Sequence, residues 1–247
     1  MTPSDKPESA KDAAVDLRDV RFRWRTGPDV LVVDRLSVAA GERVFLRGPS
    51  GSGKSTLLGL VAGVAEPQSG AVRVLGSDMA RLSGAERDAL RADGMGVVFQ
   101  LFNLLPYLSV LDNVVLPCRF SRGRRDRAVA SSGSVAAEAR RLLDTLGLEE
   151  KARRGAKASD LSVGQQQRVA AARALIGAPR LILADEPTSA LDADARDTFI
   201  ALLLDEAKTS GAAVLFVSHD AALAERFDRA EDLATLNGAW TRQGRAA

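Results

Sequence analysis

Residues 48–55 read Gly-Pro-Ser-Gly-Ser-Gly-Lys-Ser, and no other run constrains the fold of this chain as strongly. It fits the P-loop pattern at every required position. It also stands in the required context: residues 42–47 read as a buried strand, and a helix carrying Leu57, Leu58, Leu60 and Val61 follows. The glycines let the backbone wrap a phosphate without side-chain obstruction. The resulting nest of N–H groups and the helix N-terminus both favour anions. Lys54 supplies a mobile positive charge to the outer phosphates of a nucleotide. Ser55 can place its hydroxyl on Mg²⁺. Gly48, Pro49, Ser50, Gly51, Ser52, Gly53 and Thr56 complete the candidate binding loop. The loop indicates a nucleotide; it does not indicate what is done with it.

The surrounding pattern predicts an α/β fold. Residues 15–38 suggest strands, with Val20, Phe22 and Trp24 alternating against Arg21, Arg23 and Arg25 around a Thr-Gly-Pro-Asp turn. Further strands are expected at 71–75, 94–99, 180–184 and 213–217, and helices at 163–176 and 193–208. Strands alternating with helices imply a mostly parallel sheet covered on both faces. Between residues 100 and 160 helical segments dominate, at 110–116 and 135–146, and this stretch reads as a helical subdomain inserted into the sheet domain. Residues 121–134 have loop composition, and their basic cluster reads as a solvated loop. Residues 1–14 are polar and read as a flexible extension, leaving 15–247 as one domain.

The 247 residues carry 34 basic and 32 acidic side chains, a balance that gives no reason to expect a nucleic-acid partner. The single cysteine, Cys118, excludes an intrachain disulfide and fits a buried packing role. The N-terminus lacks the apolar core of a secretory signal, and no run approaches the roughly 18 apolar residues of a membrane span. A membrane role therefore requires another chain to supply the span.

Residues 181–187, Leu-Ile-Leu-Ala-Asp-Glu-Pro, form an apolar strand ending in two acids. A buried run does not carry carboxylates unless something charged meets them. Asp185, at the strand end, is placed to join a Mg²⁺ shell, as the second acidic element of P-loop enzymes does. Glu186 points elsewhere and reads as the general base for an attacking water.

Residues 161–169, Leu-Ser-Val-Gly-Gln-Gln-Gln-Arg-Val, resemble the Leu-Ser-Gly-Gly-Gln signature of the ABC ATPase family. The resemblance covers nearly the whole chain from about Val15. It takes in the P-loop, Gln100, the signature, the acid pair, the Ser-Ala-Leu-Asp run ending at Asp192, and His219, in the family's order. It implies a P-loop (RecA-like) mostly parallel core with a small antiparallel β-subdomain and an inserted helical subdomain. It also implies an ATPase in which Ser162, Gly164 and Gln165 face the ATP held by a second copy of the chain, so that two ATP are sandwiched between two subunits. By the same resemblance His219, beyond the last core strand, contacts the γ-phosphate and positions Glu186 and water. Gln100 joins the Mg²⁺ shell or orients water, Trp24 stacks on adenine, and Asp192 belongs to the dimer interface. Val163 departs from the signature by replacing its first glycine, and is expected to point away from the site.

In this family a groove between the sheet domain and the helical subdomain receives a short helix of a transmembrane permease subunit. Phe102, Leu104, Leu105 and Tyr107 are the candidate anchors. Such a subunit would sit at the cytoplasmic face of the inner or plasma membrane. The wording of residues 101–114 resembles macrolide-efflux, lipoprotein-releasing and cell-division ATPases, and also polar-amino-acid importers; the first group is favoured. A soluble ABC ATPase acting on DNA or ribosomes would need a long coiled-coil insertion or a second cassette. A P-loop kinase or GTPase would need neither the signature nor His219.

Overall fold

The computed structural model describes residues 13–188 and 191–243. Two long strands, β1 (Ala13–Arg23) and β2 (Asp29–Ala39), pair antiparallel with Leu17 opposite Leu36 and Val20 opposite Val33. β1 begins two residues before the expected end of the flexible extension, because Ala13 already pairs with Ala39; residues 1–12 of that extension lie outside the described residues. β3 (Arg43–Arg47) runs into the glycine turn and α1 (Lys54–Val61) leaves it. β4 (Ser69–Val74) and the short β5 (Ser77–Asp78) complete a four-stranded antiparallel sheet in the order β2-β1-β4-β5.

α2 (Gly84–Gly94) follows, an amphipathic helix opened by a capping box in which Ser83 and Glu86 satisfy each other's backbone N–H groups. It feeds β6 (Met95–Val98). The chain then builds helices: α3 (Val110–Val115), α4 (Pro117–Phe120), α5 (Arg122–Ser132), α6 (Val135–Thr145), α7 (Glu149–Arg153) and α8 (Val163–Leu175). It returns to β7 (Leu181–Asp185), α9 (Ala193–Ser210) and β8 (Ala213–Ser218). β9 (Arg229–Asp232), α10 (Leu233–Leu236) and α11 (Gly238–Gln243) end the described chain.

The second sheet has the order β6-β7-β8-β3-β9, and every neighbouring pair in it is parallel. Its central strands read as continuous apolar runs because both faces are covered. Alternate residues feed two separate cores. Phe45, Ile182, Ala184, Val214 and Phe216 face the core shared with α3, α6, α8 and α9. Val44, Leu46, Leu181, Leu183 and Leu215 face the core shared with α1 and the antiparallel sheet. Cys118 is buried in the first core.

Two expectations are corrected. β8 is not the last core strand: β9 pairs with β3 at the sheet edge, where its charged Arg-Ala-Glu-Asp sequence gives no apolar signal. Residues 121–134 are not a loop but mainly α5. Ser121 caps it by accepting from the Arg124 N–H at 3.0 Å, and Gly133 ends it at φ 78°. The decisive residue is Arg124, only 1% exposed. Its guanidinium donates to the Met95 carbonyl at 2.5 Å, and burial pushes its pKa down to about 10. Reading every arginine of this run as solvated conceals the face that α5 buries.

No helix among the described residues is long and apolar enough to cross a membrane. Replacing Arg124 with Ala should strand the Met95 carbonyl and open a void beneath α5. A loss of about 3 kcal/mol is expected, seen in a thermal melt as a fall in Tm of roughly 6–12 °C.

Candidate nucleotide site

The parallel register assembles the site. Arg47 lies opposite Ser218, Val217 opposite Asp185, and Ala184 opposite Val98. Gly48, His219, Glu186 and Gln100 therefore leave adjacent strands at one edge of the sheet, the carboxyl ends where open α/β sheets bind ligands.

Gly51 and Gly53 adopt φ of 81° and 98°, left-handed conformations that bend the loop. Gly53 is also the N-cap of α1, and a Cβ there would come within 2.7 Å of the Leu31 side chain. Lys54, 7% exposed, donates to the carbonyls of Gly48 at 2.9 Å and Pro49 at 3.0 Å, and pairs with Glu186 Oε1 at 3.2 Å. Glu186 Oε2 lies 3.2 Å from His219 Nδ1. One carboxylate thus bridges the loop lysine and the only histidine of the chain. Glu186 itself sits at φ 43°, with its N–H donating to the Val217 carbonyl. A non-glycine residue held there stores on the order of 1–3 kcal/mol of strain and is found chiefly at functional positions.

Asp185 ends β7 with one carboxylate oxygen, Oδ1, buried and unpartnered. Burial holds its carboxyl above the usual carboxylate range and Glu186 adds to that, while a hydrogen bond from Ser55 and the charge of Lys54 oppose it. Gln100 is exposed in the turn after β6. Trp24, 59% exposed, follows β1 and meets Phe22 edge-on at 4.7 Å. Its hairpin continues into Val30 and Leu31, which abut Gly53.

Ser162 caps α8 in a box with Gln165: the Gln165 N–H donates to Ser162 Oγ at 3.4 Å, and the Ser162 N–H donates to Gln165 Oε1 at 3.1 Å. Val163 is 48% exposed and points to solvent. Gly164 packs near Leu191. No hydrogen bond or ion pair among the described residues joins Ser162, Gly164 or Gln165 to the glycine loop. Asp192 caps α9, accepting from the Ala195 N–H at 2.8 Å; residues 189–190 before it lie outside the described residues.

Several neighbours escape sequence reasoning. Gln167, fully buried on α8, donates to the Pro187 carbonyl just beyond Glu186. Arg173, eleven residues after Ser162, ends α8 by gripping the carbonyls of Phe102 at 2.5 Å and Asn103 at 2.6 Å. Arg196 donates to Asp220, next to His219, at 2.5 Å. A spacing of eleven residues, about three helical turns, is the one signal that puts Arg173 on the same face as Ser162.

A groove of about 350 Å³ opens between α2, β6 and α4. Phe99, Pro117, Phe120 and Val97 line it, with Arg173 and Arg124 beside them. The four expected anchors do not line it. Phe102 is turned into the core at 9% exposure and Leu104 packs against the same core, leaving Tyr107 as the exposed member at 68%. Phe102 and Asn103 both adopt left-handed φ, 59° and 49°, at this turn.

A profile of the ABC transporter family matches residues 33–189. The lipoprotein-releasing system ATP-binding protein LolD of Anaeromyxobacter dehalogenans is 44% identical over 229 residues, 92% of each chain. The macrolide export ATP-binding/permease protein MacB of Chromobacterium violaceum is 40% identical over 88% of this chain, which spans 33% of that longer protein. Among solved structures, the dimeric post-hydrolysis state of the ATP-binding cassette MJ0796 bound to ADP and Pi superposes with a TM-score of 0.75. It is 36% identical, covering 88% of this chain and 93% of that one.

The raised Asp185 carboxyl makes a signed prediction. An acid whose pKa is higher folded than unfolded destabilises the folded state as pH rises through that interval. Asp185→Asn should therefore raise the Tm of the nucleotide-free protein at pH 7–8. The gain should shrink as pH falls and vanish below the ordinary value of 3.8, where the carboxyl is protonated in both states.

Proposed function

The chain belongs to the ABC transporter family as an ATP-binding, ATP-hydrolysing subunit, and from this premise we propose how its residues work. The glycine loop and Lys54 hold the triphosphate, with Gly48, Pro49, Ser50, Gly51, Ser52, Gly53, Ser55 and Thr56 around it. Trp24 offers its exposed face to the adenine, a contact of about 1–3 kcal/mol by analogy with base–aromatic stacking. Ser55, Asp185 and Gln100 hold Mg²⁺. The unpartnered, buried Asp185 Oδ1 beside the Ser55 hydroxyl is the donor set that supports this, since Mg²⁺ is commonly held by one or two carboxylates together with substrate phosphates. When bound, the ion neutralises charge on the phosphate oxygens.

Glu186 is the general base that takes a proton from the attacking water, and His219 holds Glu186 and the γ-phosphate side in register. The observation that carries this reading is the Lys54–Glu186–His219 arrangement. Lys54 pairs with one Glu186 oxygen at 3.2 Å. An incoming phosphate offers Lys54 a stronger, doubly charged partner, which frees that oxygen for water. Base activation is thereby tied to nucleotide binding.

Ser162, Gly164 and Gln165 serve the ATP of a second copy. The exposed start of α8 supplies backbone N–H groups suited to a γ-phosphate, and its Val163 side chain faces away from them. ATP stabilises the closed dimer because it contacts both subunits there and one subunit when open. Asp192 lies at that interface. The fold supports a division into residues 15–247 as one ATPase domain, with 100–160 as its helical subdomain.

Transmembrane permease subunits are the coupled partners, and the groove lined by Phe99, Pro117 and Phe120 is where a short helix of such a subunit fits. The chain then sits at the cytoplasmic face of the inner or plasma membrane through that partner. The relatives named for lipoprotein release and macrolide export favour release, export or force transmission over amino-acid import.

Glu186→Gln should keep ATP affinity, lose roughly 10²–10⁴-fold in turnover, and form an ATP-dependent dimer in size exclusion with light scattering. A variant that stays monomeric in saturating ATP-Mg²⁺ would count against the two-copy site. Expression from the native locus should recover a membrane subunit with the chain; recovery on ribosomes or DNA would refute the transporter reading.

A further inference from the structure

The glycine loop is gripped from a part of the chain that lies beyond the span of the family profile, which ends at residue 189. Asn237 closes α10 and is 1% exposed. Its Oδ1 accepts from the N–H groups of Val32 at 2.9 Å and Ala239 at 3.0 Å. Its Nδ2 donates to the carbonyls of Val30 at 2.8 Å and Ser52 at 3.0 Å. A primary amide has two donors and two acceptor lone pairs, so this one is fully used. The network also fixes the orientation of the amide, since two N–H groups face one end and two carbonyls face the other.

Ser52 lies in the middle of the glycine loop, and Val30 lies near the start of β2. A single buried side chain therefore ties the loop to β2 and to the C-terminal turn. The residues on either side of Ser52 meet the same block. A Cβ on Gly51 would lie 3.8 Å from the Trp240 ring, and one on Gly53 would lie 2.7 Å from Leu31. A backbone bridge between Val33 and Asn237 holds the block together.

The peptide plane gives this contact its consequence. In a trans peptide the carbonyl of one residue and the N–H of the next point in opposite directions. Fixing the Ser52 carbonyl toward Asn237 fixes the Gly53 N–H the other way, at the N-terminus of α1, an end that favours anions. Gly53 on one side of this plane widens the backbone conformations open to it.

We propose that Asn237 is a positioning residue for ATP binding, which presets the glycine loop by holding the Ser52 carbonyl. Its amide bonds only to backbone groups of the chain. The proposal rests on the reading of the loop as the ATP site, and that reading is checked first by titrating the unsubstituted protein with ADP. Asn237→Asp is the discriminating variant. It keeps the acceptor for Val32 and Ala239, removes both donors, and sets carboxylate oxygen against two carbonyls.

The loop holds phosphate alike before and during the reaction, so the loss should appear in KM more than in kcat. Calorimetric Kd for ADP and KM for ATP should each rise about tenfold, with kcat at saturating ATP within about twofold of the unsubstituted protein. The stabilisation of Tm by ADP should shrink in parallel. An unchanged Kd in folded Asn237→Asp would overturn the proposal, and so would a fall in kcat with KM unaltered. Should Asn237→Asp fail to fold, Trp240→Ala keeps all four hydrogen bonds and trims the ring beside Gly51. It should weaken ADP binding about threefold, on the order of the contact energy of a partly buried ring. Unaltered affinity in that variant, with Asn237→Asp unfolded, would assign the turn to folding alone and refute the proposal.

Discussion

Four adjacent strands running the same way, β6, β7, β8 and β3, are the constraint on which the rest of this molecule depends. Their common direction gathers four carboxyl ends at one edge, and those ends with the segments that leave them carry Lys54, Ser55, Gln100, Asp185, Glu186 and His219. The strands themselves have no freedom to move, because alternate side chains fill two cores on opposite faces. A one-residue slip of β7 against β8 would exchange the contents of both cores and carry Asp185 away from Ser55. The hydrophobic pattern that specifies the sheet therefore also specifies the geometry of the site.

Placing charges at such an edge is costly, and the arrangement of partners follows from that cost. Lys54 is nearly buried, yet it is met by two carbonyls and a carboxylate. Glu186 is met by a cation on one side and by an imidazole on the other. Asp185 is the exception: one of its oxygens has nothing, and burial drives its carboxyl upward. An acid left in that condition beside a hydroxyl is poorly explained by folding and well explained by an incoming cation. The left-handed backbone of Glu186 belongs to the same class of feature, a strain kept where the surrounding sheet over-determines the conformation.

Much of this was legible in the sequence, because the informative features were local. A strand, a glycine turn and a lysine at fixed spacing can be recognised without knowing what lies nearby, and so can an apolar run ending in two acids. Features that depend on contacts between distant segments were not legible. β9 has a charged sequence because it lies at an edge. α5 reads as a loop because an arginine buried against backbone carbonyls looks the same in sequence as one in water. Phe102 looked like a surface anchor because its turn into the core depends on two left-handed residues with no glycine to announce them. Asn237 lies 185 residues from Ser52 in the chain, and only the fold brings them together.

The two groups of candidates, loop residues and signature residues, are separate within one chain but not mechanically independent. α8 begins at the exposed Ser162 cap and buries Val169, Ala170, Ala171, Ala172, Ala174 and Leu175. Gln167 reaches from it to the Pro187 carbonyl, directly after Glu186, and Arg173 reaches from its far end to the turn that follows Gln100. Both contacts therefore belong to the same continuous helix as the Ser162 cap. On the proposed reading, the ATP of one subunit pulls on the Ser162 end of the other. The same helix then shifts the surroundings of that second subunit's base and of its Gln100. The route ends at Arg173, whose guanidinium also borders the groove lined by Phe99 and Phe120. On that reading one helix would link the second copy, the hydrolytic site and the proposed seat of the membrane partner.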